Sequence, residues 1–202
     1  MKFYYSPGAC SHASHIALFE SGIKFEAEAI DKKTKKLKDG RDFWKVNPKG
    51  YIPALETDKG VLAEGVAIMQ YVAEQAPAKN LMPKAGSWDH NKAQEWMNYI
   101  ATEMHKGMSP LFNKDLPDSY KTTIKENLNK KFDFLTTQLT GKDFIFGNQF
   151  TVCDAYLYTI LGWTKHLGID LSKWPALMSY VEKVKMRPSV QAAIKAEGLN
   201  AH

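Results

Sequence analysis

The sequence predicts an α/β N-terminal domain joined to an all-α C-terminal domain, and three observations predict it. Short apolar runs alternate with helical stretches up to Ala76. Between Ala76 and Ser87 the stretch APAKNLMPKAGS breaks the pattern with two prolines and little periodicity. Beyond Ser87 the apolar period becomes helical and stays so. The expected boundaries are a first domain over 1–76, a linker over 77–87 and a helical domain over 88–202.

At 202 residues the chain is long enough to bury a real core, and 44% hydrophobic with 24% charged residues is the balance of a soluble globular protein. A net charge of +5 suits a small anionic ligand but is too weak to argue for nucleic acid. No apolar run reaches membrane-spanning length and no signal-peptide pattern opens the chain, so a cytoplasmic protein without a membrane partner is expected.

The apolar run Phe3 to Tyr5 reads as the first strand, and Pro7-Gly8 ends it in a turn. Helix-forming residues follow as far as Gly22, a C-cap by position. Cys10 therefore stands where a helix begins, where backbone N–H groups and the helix dipole favour an anion. Ser11 adds a hydroxyl beside the sulfur. A small buried hydrophobe is the alternative role for a lone cysteine. Cys10 and Cys153 lie in no paired motif, so thiols are expected rather than a disulfide. His12 and His15 are one helical turn apart near Cys10, but no further ligand is in sight and no metal is expected.

Phe25, Ala27 and Ala29 alternate with Glu26 and Glu28, the period of a half-buried strand, which completes a βαβ unit with parallel strands. The lysine-rich stretch from Asp31 to Gly40 reads as a solvated face, with one or two lysines able to hold a ligand carboxylate. In NPKGYIPAL, Pro53 cannot donate to a ladder and belongs at a strand's start, where a cis bond fits. Asp58-Lys59-Gly60 turns the chain into a hairpin, and Glu64-Gly65 opens another helix. The order βαβ then ββα is that of a thioredoxin-like domain, in which a helix-start cysteine faces a strand-start proline.

A dithiol oxidoreductase would carry C-x-x-C here, but the chain has Cys10-Ser11-His12-Ala13. A resolving thiol must come from elsewhere, and glutathione is the natural small thiol. The helix start at Glu64-Gly65 can take its γ-glutamyl carboxylate on backbone N–H groups and its amine on Glu64.

In the second half, Ala93, Trp96, Ile100, Met104 and Met108 form one apolar stripe, with His105 beside it; Tyr120, Ile124, Leu128, Phe132, Leu135 and Leu139 form another. Thr151 and Asp154 have capping-box spacing before an apolar helix through Leu161, a folding device that leaves Cys153 buried and inert. Two further helical stretches follow, around 174–185 and 189–197, with a break at Arg187-Pro188.

The segments VNPKGYIPAL, AEGVAIMQYVAE and FTVCDAYLY, in this order, resemble the cytosolic glutathione transferases; FYYSPGACSHASHIAL and NYIATEMHKGMSPLF resemble the bacterial beta class. The resemblance covers essentially the whole chain and implies the glutathione transferase fold: a homodimer with glutathione on the N-terminal domain and a small hydrophobic electrophile against the helical one. It implies Cys10 as the cysteine that forms a mixed disulfide and His105 as a histidine reaching the same sulfur. It places the glutathione contacts at Ala9, Ser11, Lys35 (glycyl carboxylate), Ile52 and Pro53 (cysteinyl backbone), and Glu64 and Gly65 (γ-glutamyl group). Asn98 and Lys106 are implied as flanking contacts, and Glu103 as an acidic residue offered to the neighbouring subunit. Tyr51 stands where the pattern has a glutamine, and Tyr5 receives no activating role. The resulting expectation is an enzyme that conjugates glutathione and exchanges thiols and disulfides through Cys10. A non-catalytic carrier or protein-binding regulator on the same fold is the alternative.

Overall fold

A computed structural model describes residues 1–199; residues 200–202, the last of the expected helical domain, lie outside the described residues. The elements in chain order are β1 (Lys2–Tyr5), α1 (Ser11–Ser21), β2 (Glu26–Ala29), β3 (Ala54–Thr57), β4 (Gly60–Ala63) and α2 (Gly65–Gln75). Then come α3 (Trp88–Tyr99), which runs on through a π-helical turn over Ile100–His105 to Met108, α4 (Asp118–Leu139), α5 (Val152–His166), α6 (Pro175–Lys185) and α7 (Pro188–Ala196). Among the described residues no helix is long and apolar enough to cross a membrane.

The chain divides into two compact units. One holds Met1–Met82 together with the chain from Arg187 onward; the other is Pro83–Met186. The first division falls inside the expected linker. The last helix, which the helical period after Ser87 assigns to the second domain, groups with the first unit. Glu20 near the end of α1 takes the Arg187 guanidinium and the Ser189 hydroxyl, and Val190, Ala193 and Ile194 of this helix are buried.

The first unit is the expected thioredoxin-like arrangement, with the sheet in the order β2-β1-β3-β4. β1 runs parallel to β2 with Phe3 opposite Ala27, and β3 and β4 form the antiparallel hairpin. β1 is buried on both faces. Phe3 stacks with Tyr5 and meets the His15 ring of α1; on the other face Tyr4 joins Ile30, Leu37, Phe43 and Ala54. The alternation in β2 predicts half-burial, yet Ala27 and Ala29 are exposed. β2 is an edge strand with β1 as its one neighbour in the sheet, and the apolar contact moves to Phe25, which meets Phe3 edge-on.

In the second unit the stripe along α3 is Ala93, Met97, Ile100, Met104 and Met108, all fully buried. Met97 replaces Trp96, which lies partly exposed beside Tyr99 and Phe134. Along α4 the stripe holds from Ile124 to Leu139, while Tyr120 in the first turn is exposed. Asp154 closes a capping box with Thr151 at the start of α5. Its carboxylate accepts from the N–H and hydroxyl of Thr151, the N–H of Ile145 and the hydroxyl of Tyr180. Burial pushes the Asp154 carboxyl up to about 6. At neutral pH it is therefore ionised, the form that four donors favour.

Candidate active site

The segment between β1 and α1 presents the cysteine. Gly8 takes a left-handed φ of 68° that turns the chain after Pro7. Cys10 then occupies the N-cap of α1 and is partly exposed. Its Sγ lies 3.7 Å from the carbonyl of Ile52, the residue before the cis Pro53. The facing of helix-start cysteine and strand-start proline is thus present within the first unit.

The surroundings of the sulfur differ from expectation in two respects. Ser11 is fully buried, and its hydroxyl donates to the Ser6 carbonyl at 3.1 Å while accepting from the Ser6 N–H. Its proton therefore holds the loop instead of the sulfur. The N–H groups of His12 and Ala13 are likewise taken, by the carbonyls of Ala9 and Cys10. The helix dipole still favours an anion at this end, whereas the Ile52 carbonyl favours a thiol proton.

Beneath the loop lies a polar cluster that sequence reasoning missed. Glu197, just past α7, accepts the Gly8 N–H on Oε2 at 2.9 Å and faces His15 Nδ1 at 2.9 Å with Oε1. His12 Nδ1 stands 3.0 Å from the same Oε1, off the line of a hydrogen bond. Burial works against the Glu197 charge, but the two imidazoles and the Gly8 N–H outweigh it and hold the carboxyl down at about 2. Burial pushes the Tyr5 phenol up, with Glu197 adding to the effect.

The other predicted residues of this unit sit on the loops around β3 and α2. Lys35 has a left-handed backbone, and Tyr51 is 72% exposed, with its carbonyl tied to Asn47 at 2.7 Å. Glu64 is the N-cap of α2, at a φ of 74° that a residue with a side chain rarely adopts. Its carboxylate holds the Lys49 ammonium at 2.7 Å. An ammonium is the chemical group that glutathione's amine would bring. Gly65 opens the helix, and a Cβ there would touch the Pro53 ring at 3.6 Å.

The remaining predicted residues belong to the second unit. His105 ends the π-helical turn in α3, a distortion that a 3.6-residue stripe does not reveal. Its Nδ1 is 2.7 Å from the Tyr156 hydroxyl, and its ring meets the edges of Tyr156 and Trp163, with Phe112 beyond. Burial, aided by the charge of Lys106, holds the imidazole down at about 4. Asn98 is exposed, with its amide donating to the Gln94 carbonyl at 2.9 Å. Lys106 is exposed. Glu103 is paired in its own chain with Lys131 at 2.8 Å, which holds its carboxyl below the usual range. Cys153 is buried, donates to the Ala93 carbonyl, and burial drives its thiol far up the scale.

Residues 1–74 match the family model for the glutathione S-transferase N-terminal domain, and residues 99–188 match that for the C-terminal domain. The glutathione S-transferase GstA of Escherichia coli O157:H7 is 45% identical over 200 residues, 98% of this chain and 100% of that protein. A sphingomonad glutathione S-transferase solved with glutathione is similar at a TM-score of 0.94 and 44% identity, over 99% of this chain and 100% of that one. A beta-class enzyme from Sphingomonas chungbukensis is similar at 0.94 and 41% identity, again over 99% and 100%. With both domain models matched in order and full-length likeness of this degree, the chain belongs to the glutathione S-transferase family and resembles its bacterial beta class.

Proposed function

We propose that this glutathione transferase joins the thiol of glutathione to hydrophobic electrophiles and, through Cys10, also exchanges thiols and disulfides. The observation that carries the reading is Cys10 at the helix start, with its Sγ 3.7 Å from the backbone carbonyl of Ile52. A sphingomonad relative of known structure is complexed with glutathione. By resemblance, glutathione lies along Ile52 and Pro53. Its γ-glutamyl end meets Glu64 and the start of α2, and its glycyl carboxylate meets Lys35. Ala9, Ser11, Tyr51, Asn98 and Lys106 flank it, and His105 serves its sulfur. In conjugation the glutathione thiolate forms a C–S bond as the leaving group departs with the bonding pair. In exchange the Cys10 thiolate attacks a sulfur of glutathione disulfide; the S–S bond breaks, one glutathione thiolate leaves, and Cys10 carries the other. A homodimer, with Glu103 offered to its partner, belongs to the same reading.

A carrier without activity is not favoured, because proteins named as transferases match the chain over nearly its full length. The experiment is retention on immobilised glutathione, followed by conjugation and disulfide-reduction assays on the retained protein. Retention with both activities is expected; retention with neither overturns the reading in favour of a carrier.

A further inference from the structure

The imidazole of His105 is held more closely than a surface ligand contact requires. Its Nδ1 is 2.7 Å from the Tyr156 hydroxyl, and the two rings stand nearly perpendicular at 86°. Trp163 abuts the ring at 5.0 Å, with Phe112 stacked edge-on beyond it. Tyr156 and Trp163 are buried on α5, so the imidazole edge that faces them is fixed.

A neutral imidazole has one nitrogen that donates and one that accepts. Burial keeps this imidazole neutral through the physiological range. A phenol is a good donor and a poor acceptor, whereas an unprotonated imidazole nitrogen is a good acceptor. The contact at Nδ1 is therefore best made by the phenol's proton, which leaves the ring's own proton on Nε2.

We propose that Tyr156 is a positioning residue for His105. Its hydroxyl donates to Nδ1 and fixes the Nε2–H tautomer, so that His105 presents a hydrogen-bond donor to a sulfur anion instead of a base to a thiol. The catalytic meaning rests on the reading that His105 serves the glutathione sulfur; the tautomer itself does not. No imidazolium is involved, so the donor persists across neutral pH.

The test combines magnetic resonance of isotope-labelled imidazole nitrogens with titration of the bound glutathione thiolate by its ultraviolet absorbance. His105→Gln assigns the His105 signals among the six histidines. The wild type is expected to show an accepting Nδ1 and a protonated Nε2 across neutral pH. Tyr156→Phe, which keeps the ring and loses the hydroxyl, is expected to show an averaged pair of tautomers. Its bound thiolate should have about a fivefold lower equilibrium population, the size of one lost hydrogen bond. A proton on Nδ1 in the wild type, or an unchanged tautomer in Tyr156→Phe, overturns the proposal. A thiolate titration unmoved by His105→Gln instead overturns the reading that His105 serves the sulfur, while the nitrogen signals still report Tyr156.

Discussion

Gly8 donates its backbone N–H to Glu197 Oε2 at 2.9 Å, so the turn that presents Cys10 is fastened to the residue just past the last helix. The other oxygen of the carboxylate faces His15, buried in α1. One buried group thus joins the cysteine turn, the first helix and the end of the described chain.

This arrangement sets an acid limit on stability. The Glu197 carboxyl is held at about 2, below its ordinary value of 4.5. A depressed carboxyl contributes stability above its unfolded pKa, and loses it as pH falls through the folded one. Stability should therefore decline between about pH 4.5 and 2, by on the order of 3 kcal/mol from this group. Glu197→Gln should remove that part of the slope and lower the denaturation midpoint at neutral pH. Denaturant melts of both proteins across this range check it; parallel curves would refute the role.

His105 acts over a higher window and with a different origin. Burial lowers its pKa from 6.5 to about 4 in the folded protein. Between those values the unfolded chain binds a proton that the folded one refuses, so stability falls as pH falls through the window. The span amounts to roughly 3 kcal/mol. His105→Gln, which cannot titrate, should be nearly flat there by comparison. Equal slopes for the two proteins would show that the imidazole is solvated.

Most of the scaffold was legible because it rests on local rules. Gly22 as a left-handed C-cap, Cys10 at a helix start, the proline before β3 and the Thr151/Asp154 box are each a few residues long and have one physical reading. The misses share a different cause. Glu197 meets Gly8 and His15 across nearly the whole chain, and no periodicity announces such a contact. Its place beside Cys10 suggests Ser11 as a donor to the sulfur, but its hydroxyl is spent on Ser6. Tyr156 lies in a stretch whose sequence reads as a folding device, and the π-helical turn that positions His105 leaves the apolar stripe intact.

Asp154 should cost more to remove than an ordinary helix cap. Its carboxylate gathers donors from Thr151, Ile145 and Tyr180, all buried, and Asp154→Ala strands them together. A cap alone is worth about 1 kcal/mol, while breaking a buried charged network costs about 3–5 kcal/mol. The larger figure is expected from equilibrium denaturation. Asp154→Asn, which keeps an acceptor oxygen, should recover part of it. A loss no greater than a cap's would show that water satisfies the stranded donors.

The two thiols should separate cleanly under alkylation. Cys10 is partly exposed at a helix start, where the dipole favours its anion. Cys153 is fully buried, its thiol is driven far up the scale, and its proton is given to the Ala93 carbonyl. In the folded protein an excess of iodoacetamide should label Cys10 at least about a hundredfold faster, since burial both hides and protonates Cys153. Glutathione disulfide should leave an adduct on Cys10 that mass spectrometry locates and that blocks labelling. Cys10→Ala should lose the adduct and most disulfide reduction, and keep more of its conjugation, because conjugation uses glutathione's own sulfur. Equal loss of both activities would make Cys10 a residue that shapes the site without exchanging its sulfur. A conjugation rate that survives while reduction collapses is the outcome that assigns the exchange chemistry to Cys10.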